Sequence, residues 1–125
     1  MQENEITKIV IDLCIKIHKA LGPGLLESVY EEILVFELKK IGLSIARQLA
    51  IPVVYENIKM DLGVRADIMI EDKVIIELKS IDSILPVHKK QLLTYLKLTG
   101  KKVGLLINFN EALMKDGIVR IANGF

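Results

Sequence analysis

The sequence predicts an α/β fold, a mixed and mainly antiparallel sheet flanked by helices. Three observations carry this. Apolar residues recur at three- and four-residue spacing as far as Lys40, the mark of amphipathic helices. Between Arg47 and Lys79 the pattern changes to alternation and to short β-branched runs, the mark of strands. A further helical stretch then leads into one more apolar strand, and a helix crossing over between two strands of one sheet makes them parallel.

The first helix is read from Ile6, Ile9, Val10, Leu13, Cys14 and Ile17, which share one face. Cys14 is core on this reading, and His18 sits at the edge of the helix without a chemical role. Gly22, Pro23 and Gly24 break the chain, and a second helix is expected to start there and run to Lys40, with Gly42 as its stop. From Arg47 to Tyr55, Leu49, Ile51, Val53 and Tyr55 fall on one face of a strand; Pro52 cannot donate a ladder hydrogen bond, so this strand lies at an edge or is bulged. Glu56 and Asn57 fit a turn into a short segment at Ile58 to Met60. Next come two apolar runs, Ile68 to Ile70 and Val74 to Ile76, split by the polar tripeptide Glu71, Asp72 and Lys73, which read as a hairpin. A third helix is expected from Val87 to Leu98, ended by Gly100, followed by a strand from Val103 to Ile107 and a last short strand at Gly117 to Ile121.

Composition bounds the function. The 125 residues suit one domain spanning 1–125, and 51% hydrophobic with 26% charged residues excludes disorder. A net charge of +1 confines any nucleic-acid surface to a local patch. Cys14 is the only cysteine, so no internal disulfide or cysteine-built zinc site can form. Met1 to Glu5 carry no secretory core and no apolar run approaches ~18 residues, from which a cytoplasmic chain without a membrane segment is expected.

The chemistry concentrates between Arg65 and Ser80. Side chains alternate along a strand, so Glu77 and Lys79 point one way and Leu78 the other. The hairpin returns Asp67 to the neighbourhood of Glu77. Two carboxylates that close repel and resist desolvation unless a cation lies between them, and oxygen ligands favour a hard ion such as Mg²⁺ or Mn²⁺. Arg65, two residues before Asp67, shares its face if the strand is regular and suits either a phosphate or a structural ion pair. On the second helix Glu27 shares a side with Tyr30, Glu31 and Leu34; position alone explains it through the helix dipole. On the third, His88, Gln91, Tyr95 and Thr99 form a polar stripe. Lysines 89, 90, 97, 101 and 102 form either a basic rim or an ordinary solvated face.

Asp67, nine intervening residues and then Glu77-x-Lys79 resemble the active-site signature of the PD-(D/E)XK nuclease superfamily. Gly24, Glu27 and Tyr30 match the Gly-x-x-Glu-x-x-Tyr motif of its small GxxExxY branch, and Gln91 and Tyr95 match a Gln-x-x-x-Tyr motif of exonuclease-like members. The resemblance spans Ile17 to Ile121, including the run Gly104 to Phe109. It implies a restriction-endonuclease-like order of helix, three strands, helix, strand, and Mg²⁺-dependent hydrolysis of DNA, with Mn²⁺ and RNA as the variants of cofactor and substrate. It implies Asp67 and Glu77 as metal ligands, joined by the Leu78 carbonyl and Glu27. Lys79 would position or deprotonate the attacking water, Gln91 would orient it or bond a metal ligand, and Tyr95, His88 and Arg65 would touch substrate. The alternative is a catalytically silent module that holds nucleic acid or protein on the same fold. Nothing in the sequence indicates a homo-oligomer.

Overall fold

The computed structural model describes residues 1–125. Two helices, α1 (Glu3–Leu21) and α2 (Glu27–Lys40), precede a first strand β1 (Ile45–Ala50), a small hairpin of β2 (Val53–Tyr55) and β3 (Ile58–Met60), and the central hairpin of β4 (Arg65–Ile70) and β5 (Val74–Lys79). Then follow α3 (Pro86–Thr99), β6 (Val103–Asn108), a short 3-10 turn at Met114–Gly117 and β7 (Ile118–Ala122). The main sheet has the order β1-β4-β5-β6-β7. Its pairings are antiparallel except β5 with β6, the pair joined by the α3 crossover. No helix is long and apolar enough to cross a membrane.

The sheet separates two layers because its strands alternate. Ile68, Ile70, Val74, Ile76 and Leu78 face α1 and α2, where they meet Ile6, Val10, Tyr30 and Leu34. Met69, Ile75 and Leu106 face α3 and pack on Leu92 and Leu96. β5 and β6 are buried on both faces, as expected of strands covered by helices on either side. Each fully buried Ile or Leu contributes roughly 1.5–3 kcal/mol relative to exposure, so the centre of the sheet is the rigid part of the molecule.

Two boundaries differ from the sequence reading. The second helix begins at Glu27 rather than at Gly22 to Gly24. Gly24 takes a φ of 102°, which glycine alone adopts freely, and Tyr30 holds the linker extended. Its hydroxyl donates to the Gly22 carbonyl at 2.6 Å and accepts from the Leu25 amide at 3.2 Å, while its ring stacks on Phe109 at 4.2 Å. The strand expected from Arg47 to Tyr55 is two strands. β1 lies at the edge of the main sheet, the chain leaves it at Ile51 and Pro52, and β2 pairs only with β3. Ile51 is buried and anchors this departure, with its amide donating to Val64 O at 2.8 Å, whereas Tyr55 is exposed. His18 is also not peripheral: it is buried, with Nε2 2.8 Å from Glu111 O.

Both hairpins turn through non-glycine residues with positive φ, Glu56 and Asn57 in one and Glu71 and Asp72 in the other, as tight hairpin turns require. The second of these sets the β4–β5 register, with Ile70 opposite Val74 and Ile68 opposite Ile76.

Candidate active site

Continued regularly, the β4–β5 ladder would place Asp67 opposite Glu77, but pairing stops at Ile68 and Ile76. Pairing of β1 with β4 also skips this point: Arg47 opposes Ile68 and Leu49 opposes Ala66, with Gln48 and Asp67 left out between them. The facing pattern breaks with it. Ala66 packs on the α3 side and Ile68 on the α1–α2 side, although residues two apart in a regular strand share a face.

Side chains take over the lost backbone bonds. The Asp67 amide donates to Glu77 Oε1 at 3.2 Å, and the Leu78 amide donates to Asp67 Oδ2 at 2.8 Å. Glu77 is only 6% exposed. Burial, and next the Asp67 charge, push its carboxyl up to about 8. Burial likewise raises Asp67, against the lowering effect of the Leu78 amide. Each carboxyl thus accepts an amide from the other acid's strand, which sets the two side by side where the ladder opens. The Lys79 ammonium is near enough to lower Glu77 but makes no ion pair with it within 4 Å.

Asp67 opens onto a cleft of about 650 Å³ lined also by Glu27 and Glu31 of α2, Gln48 of β1, Leu78, Ser80 and Asn110. Glu27 Oε2 accepts the Ser80 amide at 3.1 Å, and Ser80 Oγ donates to Leu25 O at 2.6 Å, tying the end of β5 to the start of α2. On the opposite side, the buried Asn108 grips the loop after Lys79: its amide donates to Ile81 O at 2.9 Å and its Oδ1 accepts Ile81 N–H at 3.1 Å. Phe109 N–H donates to the Lys79 carbonyl at 2.9 Å.

Of the residues singled out in the sequence, Asp67, Glu77 and Lys79 come together. Tyr95 joins them from α3: its phenol is raised by burial and then by the charges of Glu77 and Asp67. Gln91, one turn earlier, is exposed and makes no hydrogen bond to the pair. His88 has a structural task, its Nδ1 accepting the Leu85 amide at 2.9 Å at the start of α3. Arg65 is exposed at the outer end of β4, opposite Ala50. Glu27 lines the cleft with one oxygen held by the Ser80 amide, and no three acidic, histidine or cysteine side chains converge there into a metal cage.

The sequence reading assigned no site role to Glu31, Arg47 or Gln48. Glu31 is buried at 8% exposure and receives Arg47 Nε and Nη2 at 3.2 and 2.9 Å. Gln48 Nε2 donates to Glu31 Oε1 at 2.8 Å and reaches Asp67 Oδ1 at 3.4 Å. The available signal was the four-residue spacing of Glu27 and Glu31 on one helix face.

A family model described as the PD-(D/E)XK nuclease superfamily matches residues 4–121. The chain belongs to the PD-(D/E)XK nuclease superfamily. Its helix, three-strand, helix, strand core is accordingly the restriction-endonuclease-like fold. Among curated proteins and among solved structures, no match to the chain is found.

The donor chemistry at this PD-(D/E)XK position fits a hard divalent cation. Asp67 and Glu77 offer carboxylate oxygens, burial raises both carboxyls and the Asp67 charge raises Glu77 further, and Mg²⁺ needs only one or two carboxylates because it keeps several waters.

Proposed function

We propose that this protein is a metal-dependent nuclease that hydrolyses phosphodiester bonds in DNA, of the GxxExxY branch. The observation that carries this is the Asp67–Glu77 pair, two partly or wholly buried carboxyls held close with the Lys79 ammonium nearby. Burying two carboxyls side by side is costly, and an arrangement that maintains them where β4 leaves the ladder is better suited to a ligand than to stability. Membership of a nuclease superfamily supports a nucleic-acid substrate.

In this reading Asp67 and Glu77 hold Mg²⁺ or Mn²⁺, beside the Leu78 backbone. When bound, the metal supplies Lewis acidity toward phosphate and lowers the pKa of water. The chain itself supplies the rest. Lys79 orients the attacking water and meets negative charge that develops on the phosphate, an interaction realised mainly in the transition state. Tyr95 contributes from the α3 side, Gln91 orients the attacking water, and Glu27 shapes the wall through Ser80. His88 and Arg65 contribute outer contacts to the nucleic acid.

Calorimetric titration with Mn²⁺ tests the ligand set: the parent binds, and Glu77→Ala binds far more weakly. Equal affinity in the two proteins removes Glu77 from the set. Cleavage of linear, circular and single-stranded DNA and of RNA then assigns the substrate, and absence of cleavage on all four with metal bound favours the silent binding module.

A further inference from the structure

Gln48 fills the gap opposite Asp67 in β1 with a φ of 48°. The other non-glycine residues with positive φ all lie in the two hairpin turns, where that geometry closes the loop. Gln48 is within a strand, and its side chain is too long for the local hydrogen bonds that let asparagine tolerate the left-handed region. Backbone strain of this kind persists only where the surroundings hold it. Here the holding contacts are visible: Gln48 Nε2 is anchored on Glu31 Oε1 at 2.8 Å, and Arg47 fixes the other Glu31 oxygen through two guanidinium nitrogens.

The same Nε2 reaches Asp67 Oδ1, so one amide stands between two acidic side chains. Asp67 Oδ2 is meanwhile held by the Leu78 amide. We propose that Gln48 is a positioning residue: its strained backbone and bridging amide, braced by Glu31 and Arg47, fix the Asp67 carboxylate in the orientation that accepts the Leu78 amide and presents it to the cleft. The link to metal binding rests on the nuclease reading above; the hold on Asp67 does not.

Substitution separates this role from a merely structural one because strain and positioning then move in opposite directions. Gln48→Gly relieves the backbone but removes the amide, and Gln48→Asn keeps a residue tolerant of positive φ while shortening the bridge by one methylene. Native-state amide exchange, thermal unfolding and Mn²⁺ titration are measured on the full chain of parent and both variants. The expected result is a melting temperature at or above that of the parent in at least one variant. In that variant the Leu78 amide exchanges about tenfold faster, the weight of one hydrogen bond, while amides in the core of β6 are unaffected. Mn²⁺ affinity falls by about tenfold, as for other partners that orient a metal ligand. Parental exchange at Leu78, or a loss of protection spread evenly over the sheet, overturns the proposal. A parent that binds no Mn²⁺ contradicts the nuclease reading, and the Leu78 exchange still decides the role of Gln48.

Discussion

Asp67 and Glu77 are joined through the backbone: the amide of Asp67 donates to the Glu77 carboxylate, and the amide that follows Glu77 donates to Asp67. Each acid therefore replaces a ladder bond lost where β4 parts from β5. The arrangement keeps two carboxyl groups close in a buried setting, and its electrostatic consequence is measurable without any substrate.

Metal-free stability should fall as pH rises. The Glu77 carboxyl titrates near 8 in the folded protein against an ordinary value of 4.5, so the folded state holds its proton more tightly than the unfolded chain does. Below the unfolded value both states are protonated and nothing is lost. Stability declines as pH rises from there through the folded value and then levels off. Asp67, also raised, acts in the same direction. Melting temperature scanned from about pH 5 to about pH 9 should drop in the parent and fall less in Glu77→Gln, which keeps an acceptor for the Asp67 amide without the charge. A parental profile that rises with pH contradicts the burial of this pair.

Tyr30→Phe should destabilise by about 1–3 kcal/mol, because the Gly22 carbonyl and Leu25 amide both lose their partner while the stacked ring remains. Denaturant unfolding measures it. An unchanged midpoint would mean that water satisfies the linker as well as the tyrosine does.

Gly117→Ala should be more damaging than its size suggests. A methyl there would sit 2.2 Å from the Asn108 carbonyl oxygen, so backbone must move. Asn108 grips the loop after Lys79, and the substitution should lower both melting temperature and any Mn²⁺-dependent cleavage. Retention of both within error would show that this contact relaxes freely.

Much of this was legible in the sequence because it rests on local patterns. Two β-branched runs around Glu71 to Lys73 define the central hairpin and with it the meeting of Asp67 and Glu77, and Pro86 and Gly100 bracket α3. What escaped depends on long-range contacts. The break at Ile51 and Pro52 follows from Ile51 packing on the α3 side, and the late start of α2 follows from Tyr30 reaching back to Gly22. Gln48 carries no local mark, since its role arises from Glu31, seventeen residues earlier, and Asp67, nineteen residues later.

Single-turnover cleavage of labelled DNA with Mg²⁺ or Mn²⁺, by parent and Lys79→Ala prepared identically, tests the central claim most directly. Lys79 is half-buried at the end of β5, beside the carboxyl pair and outside the apolar core, so its removal should leave the fold and much of the metal affinity intact. The account predicts cleavage by the parent and a loss on the order of 10² or more in the variant, comparable to removing one oxyanion donor. Lys79→Arg should rescue poorly, because it keeps the charge without the compact ammonium. Cleavage that persists unchanged in Lys79→Ala, or a metal-bound parent that cleaves nothing, would contradict the assignment of this cluster as a nuclease centre.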